Sequence, residues 1–314
     1  MMGSGEKNRW GLYGKGLLVL SLFTRTGVLA LLCFLAFSSE FANLKMGYNN
    51  ARLVELSSGR PMRVAYEWTE SFLSLFGEPE EVVRTSGGMT WSIRVLGVPF
   101  TDPIAALSLL ARHHKWTWSI ALGLIVPLTI AFLFGRVFCA YVCPASLAFF
   151  VTSRIRGLLE KFFYFPDFRL HHGVAWGVLA GGLVVMLFYG HGIWTLILPY
   201  FAMGQTIFQA IAFGTLSVAA ASLGLFLLLD VLLGKQFTCR YLCPTGRLLG
   251  WIGRRQKITI RRDAAHCLDS CRSCTDVCPL SVNPKVDETR DCSVCGECVT
   301  ICPTQCLSIG REQK

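Results

Sequence analysis

The chain contains 314 residues, of which 53% are hydrophobic and only 16% are charged. Soluble globular domains carry a charge at about 25% of their positions, so this composition argues against an ordinary soluble protein. The charges are also unevenly placed, because residues 170–229 contain no Asp, Glu, Lys or Arg. A run of that length holds two bilayer crossings of about 20 residues each, with a connection between them.

Hydropathy predicts four membrane-spanning helices, at about residues 26–44, 116–135, 173–189 and 215–233. We interpret the shorter apolar piece 16–23 as an interfacial lead-in, because Arg25 separates it from the first span. Pro127 lies inside the second span and predicts a kink there, which neighbouring helices can tolerate. Beyond the cysteine motifs, the sequence shows no repeat of domain size.

The distribution of Lys and Arg predicts the orientation of these spans. Basic residues precede the first span, cluster between 136 and 172 and are frequent after the fourth span, whereas 190–214 contains none. By the positive-inside rule, both termini are cytoplasmic and the loops 45–115 and 190–214 lie outside. This bias also explains the net charge of +10, so we expect no nucleic-acid partner.

A repeated cysteine motif closes the second and fourth predicted spans. It reads Cys139-x3-Cys143-Pro144 in the first case and Cys239-x3-Cys243-Pro244 in the second. Spacing of i,i+4 places both thiols of a pair on one helical face, and the two pairs share one membrane depth. They form either one four-thiolate metal site or two redox-active dithiols. The structural alternative is that they only pack helix ends.

The C-terminal segment carries eight further cysteines in two runs. These are Cys267-x3-Cys271-x2-Cys274-x3-Cys278-Pro279 and Cys292-x2-Cys295-x2-Cys298-x3-Cys302-Pro303. The second run matches the bacterial ferredoxin pattern, in which the last cysteine of a run binds the other cluster, and the first has one extra residue. The sequence therefore predicts two [4Fe-4S] clusters, held by Cys267, Cys271, Cys274 and Cys302 and by Cys278, Cys292, Cys295 and Cys298.

Disulfide bonds and structural zinc account for these cysteines less well. Disulfides are disfavoured in a cytoplasmic segment, where thiols are kept reduced. A structural zinc site needs four ligands per unit and leaves the second Cys-Pro without a role. Cys306 and Cys33 are predicted to be packing residues.

Polar side chains near the predicted outer face suggest a second site. The residues that line this possible quinol site are Asp102, His113, His114, His191 and Gln205. The alternative is that they anchor helix ends at the interface. No two histidines lie at mid-depth on facing spans, so a bis-histidine haem is not expected. Asp230, near the inner end of the fourth span, is either functional or paired with Lys235 or Arg136.

The chain resembles the NapH/MauN group of ferredoxin-type membrane proteins, which is related to the membrane part of NosR. The resemblance rests on the two Cys-x3-Cys-Pro motifs, on Phe100-Thr101-Asp102-Pro103, on 226–230 and on the tandem ferredoxin-like tail. It implies two [4Fe-4S] clusters and electron transfer between the quinone pool and a periplasmic redox enzyme. Within the group, NapH-type proteins serve nitrate reduction and MauN-type proteins serve methylamine oxidation. The long segment 47–94 favours the methylamine branch.

The resulting prediction is an all-α four-helix membrane domain plus a small α+β bacterial-type 2[4Fe-4S] ferredoxin domain. Its parts are a cytoplasmic N-terminal segment (1–25), a membrane domain (26–257) and a cytoplasmic ferredoxin-type domain (258–314). We expect an electron-transfer component of the bacterial inner membrane, in contact with lipid, quinol and a redox partner protein, and not a stand-alone enzyme. The alternative function is a maturation factor that supplies electrons for metal or thiol reduction in a partner enzyme.

Overall fold

A computed structural model describes residues 4–50, 67–68, 70–89, 92–95, 97–113, 118–168, 170–171, 173–268, 270–286 and 291–311. The elements of the first half are α1 (Ser4–Asn50), α2 (Pro79–Thr85), β1 (Gly87–Met89), β2 (Ser92–Val95), β3 (Val98–Thr101), α3 (Pro103–His113), α4 (Trp118–Phe134), α5 (Val137–Tyr141) and α6 (Ala145–Leu159). Those of the second half are α7 (Val174–Tyr189), α8 (Trp194–Ile197), α9 (Pro199–Phe213), α10 (Val218–Leu233), a π turn (Thr238–Leu242) and α11 (Pro244–Ile252). The tail contains β4 (Ile258–Arg262), α12 (Ser273–Val277), α13 (Glu297–Ile301) and β5 (Leu307–Arg311).

Helix α1 is longer than the predicted first span. Its segment Tyr13–Ser39 is long and apolar enough to cross a membrane. The prediction that Arg25 separates the piece 16–23 from the first span is wrong, because α1 continues through Arg25, whose buried side chain finds a partner within the protein. Its Nε donates a hydrogen bond to the carbonyl of Ala140, and Ser21 donates to the same oxygen at 3.1 Å. A buried charge with such partners is tolerated, so the helix continues.

Three further apolar helices coincide with the other predicted spans. Helices α4, α7 and α10 have 17, 16 and 16 residues, which is shorter than the roughly 20 residues of a typical span. Among the described residues, only α1 meets the length and composition expected of a membrane span. Pro127 lies inside α4, as predicted.

A three-stranded antiparallel sheet of consecutive strands, β1-β2-β3 (the β hairpin), departs from the predicted all-α membrane domain. Its first strand requires glycine at position 88. Gly88 has a φ of +111°, and a Cβ there would lie 2.1 Å from the carbonyl oxygen of Ser92. The third strand packs against α4, where a Cβ on Gly123 would lie 2.4 Å from Thr101 Oγ1. Part of the predicted outer loop therefore lies against the middle of an apolar helix.

Two proline-initiated helices also enter the helical domain. Asp102 caps α3, since its Oδ1 accepts hydrogen bonds from the backbone N–H groups of Ile104 and Ala105 at 2.8 and 3.2 Å. Helix α9 begins at Pro199 and occupies most of the predicted outer loop 190–214, where no helix was expected. It packs against α1 and α10. Its apolar residues lie against other helices, which explains why the segment folds as a helix.

The helical domain contains an internal repeat, although the sequence predicted none beyond the cysteine motifs. Each half has a proline-initiated helix (α3 or α9), an apolar helix (α4 or α10), a short cysteine-bearing turn and a helix after Cys-Pro (α6 or α11). The helix after each Cys-Pro packs against the apolar helix of the other half, α6 on α10 and α11 on α4. This exchange brings the two cysteine motifs together.

The tail forms the small α+β unit that the sequence predicts. Strands β4 and β5 pair antiparallel, and their buried Ile260 and Leu307 pack with Val299 of α13 and with several cysteines. The tail contacts the helical domain directly. Tyr141 donates a hydrogen bond to the carbonyl of Val294 at 3.0 Å, and Arg240 donates to that of Pro279 at 3.3 Å.

Candidate metal centres

Two small cavities in the tail are each lined by one predicted set of four cysteines. The first is lined by Cys267, Cys271, Cys274 and Cys302, and also by Cys306. The second is lined by Cys278, Cys292, Cys295 and Cys298. The fold thus brings the last cysteine of each run to the other run, as expected for a tandem ferredoxin. The assignment of these residues as ligands stays a prediction.

The backbone around the second cavity donates hydrogen bonds to sulfur. The N–H groups of Val282 and Val294 donate to Sγ of Cys278 and Cys292, each at 3.3 Å. Val294 has a φ of +53°, a left-handed conformation that is uncommon for a β-branched residue. Hydrogen bonds to ligand sulfurs are one of the features that tune iron–sulfur clusters, so this loop suits thiolate ligands.

In the second cavity, burial makes the thiolate form of the cysteines costly in free energy unless a cation balances the negative charge. Burial raises the pKa of Cys292 to about 12, and the nearby Cys278 thiolate adds to the shift. Burial also raises the pKa of Cys295 and Cys298. Metal ligation requires the thiolate form, so a bound cationic centre compensates a cost that the protein alone does not remove.

The two kinds of thiolate site differ in how the sulfurs are used. Four thiolates around one zinc bind the same atom at about 2.3 Å, whereas in a cubane each thiolate binds a different iron. Among the described residues, no group of three or more His, Cys, Asp or Glu side chains is gathered closely enough to hold a metal ion.

The helix-end cysteines form a third group in the helical domain. Each of Cys139, Cys143 and Cys243 acts electrostatically on the buried thiol of Cys239, so the four sulfurs are neighbours. Burial raises the pKa of Cys243 to about 11, and the Cys139 thiolate adds to the shift. The structure therefore brings the two motifs into one site, as one of the two predicted arrangements requires.

Arg136 connects this four-thiol site with the tail. Its buried guanidinium lies close enough to Cys139, Cys239 and Cys243 to interact with their thiolates, and its Nη2 donates to the Cys239 carbonyl at 3.2 Å. On the tail side, its Nη1 lies 3.8 Å from Oδ1 of Asp291, the residue that precedes Cys292. One cation thus faces both thiol groups.

Asp230 positions the second helix-end motif. It is buried, and its Oδ1 accepts a hydrogen bond at 2.8 Å from the backbone N–H of Thr238, which precedes Cys239. The ion pairs found among the described residues include none between Asp230 and Lys235 or Arg136. The hydrogen bond therefore orders the π turn that carries Cys239.

Asp102 faces an apolar cavity of about 260 Å³ that Cys143 also lines. Its Oδ2 accepts a hydrogen bond at 2.7 Å from the hydroxyl of Tyr200, whose oxygen lies 2.8 Å from Thr245 Oγ1. Thr245 stands two residues after Cys243. The sequence predicted Asp102 near the outer face and Cys143 near the inner face, whereas the inserted hairpin and α3 place both in one cavity.

Of the other residues of the predicted quinol site, Gln205 has a described side chain, and it does not line the cavity. His114 lies outside the described residues, and so do the side chains of His113 and His191. Tyr200 and Thr245 were missed, although the proline before Tyr200 and the cysteine near Thr245 repeat features of the first half.

Comparison with curated proteins identifies the family. The chain is 31% identical over 229 residues to the ferredoxin-type protein NapH of Haemophilus influenzae, an alignment that covers 69% of this chain and 77% of the relative. The chain belongs to the NapH/MauN family of ferredoxin-type proteins. The NapH of Escherichia coli is 29% identical over 68% of this chain and 75% of its own length. The methylamine utilization ferredoxin-type protein MauN of Methylobacillus flagellatus is 30% identical over 63% of this chain and 68% of its own length.

The matching family model bears on the helix-end cysteines. A model described as a 4Fe-4S binding domain matches residues 116–161 and 212–261, and each segment contains one Cys-x3-Cys-Pro motif. The two matches also correspond to the two halves of the internal repeat. As a NapH/MauN family member, the chain is an iron–sulfur protein with a role in electron transfer. No solved structure matches it.

Proposed function

We propose that this chain is an iron–sulfur protein of the bacterial inner membrane that passes electrons between the quinone pool and a periplasmic redox enzyme system. The observation that carries the proposal is the assembly of three groups of four cysteines, two in the tail and one at the helix ends. The family resemblance implies two versions of the partner, a nitrate reductase type and a methylamine dehydrogenase type, and the name of the MauN relative, a methylamine utilization protein, agrees with the second. The long segment 47–94 favours the second.

The proposed membrane domain consists of α1, α4, α7 and α10, with both termini on the cytoplasmic side. The uncharged 190–214 segment and the basic 136–172 segment support this orientation. Helices α3 and α9, with the β hairpin, are proposed to re-enter the domain from outside. Non-helical backbone at membrane depth is acceptable where it is buried in protein, as the hairpin is against α4.

The proposed cofactors are [4Fe-4S] clusters, two in the tail and one held by Cys139, Cys143, Cys239 and Cys243. When bound, each cluster takes up and releases one electron at a time. Within the chain, Arg136 offsets negative charge beside the helix-end thiolates. Asp230 fixes the turn that presents Cys239, and backbone N–H groups stabilise the thiolates of the second tail set.

The apolar cavity beside Cys143 is the proposed place for a quinol ring. Its walls come from α1, β2, β3, α4 and α9, and they exclude water from a flat, lipid-soluble ligand. Asp102 and Tyr200 provide oxygen atoms that can accept a proton or a hydrogen bond from a ring hydroxyl. This location modifies the predicted quinol site by adding Tyr200 and Thr245, while His113, His114, His191 and Gln205 stay predictions.

The proposed function is tested on the full chain purified anaerobically in detergent. We expect iron and acid-labile sulfide equivalent to about three cubanes, with EPR signals that interact magnetically in the reduced protein. Replacing Cys139 and Cys239 by Ser removes about one cubane and leaves the tail signals. Iron near zero, or zinc in place of iron, contradicts the proposal.

Deletion of the gene separates electron transfer from the maturation alternative. An electron-transfer role predicts a partner enzyme that is fully assembled and cofactor-loaded but unable to exchange electrons with quinol. A partner enzyme that accumulates without its metal or cofactor supports the maturation role instead.

A further inference from the structure

A fifth cysteine faces the first tail cavity, beside the four predicted ligands. Cys306 is buried, and its Sγ lies 3.6 Å from Sγ of Cys302. Its side chain also interacts with that of Cys267. The sequence motif does not include this residue, and spacing alone suggested only a packing role.

The backbone holds Cys306 at this position. The turn after Cys302 is closed by Gln305, whose φ is +52° and whose N–H donates to the Cys302 carbonyl at 3.2 Å. The carbonyl of Cys306 accepts a hydrogen bond from the N–H of Asp263 at 2.8 Å. Strand β5 starts at the next residue, Leu307, which pairs with Arg262. The thiol is therefore fixed at the cavity wall by the sheet.

The first cysteine run of the tail has a position equivalent to Cys306, and an aliphatic residue occupies it. There Ser281 has a φ of +53° and closes the same turn after Cys278, by donating to its carbonyl at 3.1 Å. The residue four positions after Cys278 is Val282, which is buried, just as Cys306 stands four positions after Cys302. Packing at this position is thus satisfied by an aliphatic side chain. The first cavity has a metal-binding group there instead.

Cys267 departs from the ferredoxin pattern more than the other three predicted ligands. The extra residue in its run separates it from Cys271, and it directly follows the short 3₁₀ turn Ala264–His266. Cys267 is partly exposed, and its Sγ lies 3.9 Å from the carbonyl oxygen of Leu268. A partly exposed thiolate ligand is accessible to oxidants and to exchange.

We propose that Cys306 is a reserve thiolate ligand for this cluster, which replaces Cys267 when that ligand is lost. The proposal rests on the ligand set given above for the first tail cluster. In the exchange the Cys306 thiol gives up its proton and its sulfur bonds to the iron that Cys267 leaves, while the released Cys267 sulfur takes up a proton. No electron is gained or lost, so the cluster keeps its oxidation state.

Four variants of the full chain, prepared anaerobically, test this role. They are Cys267→Ala, Cys306→Val, the double variant Cys267→Ala/Cys306→Val, and the control Cys292→Ala. Valine at 306 reproduces the residue that the other half carries, so packing is preserved. Cys292 is the counterpart of Cys267 in the second run, and no fifth cysteine lines its cavity among the described residues. Iron per chain and the EPR signal of a three-iron cluster are measured for each.

We expect Cys267→Ala and Cys306→Val to keep the iron content and four-iron signals of the unsubstituted chain. The double variant and Cys292→Ala should each lose about one iron, with a three-iron signal, or about four irons if the cluster is lost entirely. The proposal fails if Cys267→Ala loses as much iron as the double variant. It also fails if Cys306→Val alone loses the cluster, because Cys306 is then the resident ligand.

The unsubstituted chain keeps this result separate from the proposed function. If it contains no iron–sulfur cluster, the proposed function fails and the ligand exchange falls with it. If it contains its full set of clusters and only the Cys267→Ala result disagrees, the reserve ligand alone is excluded. Retention of the other EPR signals in each variant shows that the chain has folded.

Discussion

At the scale of single residues, the buried guanidinium of Arg136 is the charge that lies next to the helix-end thiols. Arg136 and Arg247 both contact Asp291, the second at 2.5 Å from Nη1 to Oδ2. Only Arg136 also interacts with the helix-end thiolates. A cation beside a cluster stabilises the reduced, more negative state more than the oxidised one. The two arginines therefore share a carboxylate but differ in their predicted effect on redox chemistry.

We predict that Arg136→Gln lowers the reduction potential of the proposed helix-end cluster by about 60 mV, a tenfold change in a one-electron equilibrium. A redox titration followed by EPR measures this shift. The matched variant Arg247→Gln removes a cation from the same aspartate and should leave that potential unchanged. Equal shifts in both variants contradict the specific role of Arg136.

The sequence predicted single residues well where their chemistry depends on spacing. The tail cysteines follow a pattern that fixes which residues meet, and the structure gathers the same two sets of four. Tyr200 and Thr245 were not predicted, because the contacts of Tyr200 with Asp102 and with Thr245 join residues that are far apart in the chain. Cys306 was assigned a packing role because its position at the cavity depends on the pairing of β4 with β5.

At the scale of elements, close approach between the hairpin and α4 decides how the outer segment folds. Gly123 allows Thr101 to touch the helix, whereas Gly224 of α10 has nothing within 4 Å of an added Cβ. The two glycines lie at similar distances before the cysteine motif of their half. They offer a matched pair of substitutions in which only one meets a neighbouring strand.

We predict that Gly123→Ala lowers the free energy of unfolding by about 1–3 kcal/mol, because the new methyl group overlaps Thr101. Gly224→Ala should leave stability unchanged or raise it by up to about 1 kcal/mol, since alanine is the better helix former. The midpoint of thermal unfolding in detergent compares the two. A loss of stability in Gly224→Ala but not in Gly123→Ala disagrees with the packing.

Hydropathy located the apolar helices but not the elements between them. The ends of α7 and α10 agree with the predicted spans within a few residues, because long apolar runs are the clearest signal in the sequence. Helix α9 was taken for a loop, because this uncharged segment lies between two predicted spans. The contacts with α1 and α10 that stabilise it as a helix cannot be read from the sequence. The β hairpin was missed because its short strands lie within an irregular, glycine-punctuated segment.

At the scale of the whole molecule, the proposed orientation places the cysteine groups near one face of the membrane. Reporter fusions after Tyr164 and after Leu216, which are both exposed, test this arrangement. We predict that a green fluorescent protein is fluorescent at the first site and that alkaline phosphatase is active at the second. Activity of the same reporter at both sites contradicts the four-span arrangement. In that case α1 is the one described helix that still qualifies as a membrane span.

The exchange of helices between the two halves has a consequence for biosynthesis. Helix α6 packs on α10 and α11 packs on α4, so neither half can complete its contacts alone. While the ribosome has made only the first half, Cys139 and Cys143 have no partner thiols, and α6 can pack on α1 but not on α10. The four-thiol site is therefore complete only after the chain has passed Cys243, so the cluster proposed for it can be acquired only late in synthesis.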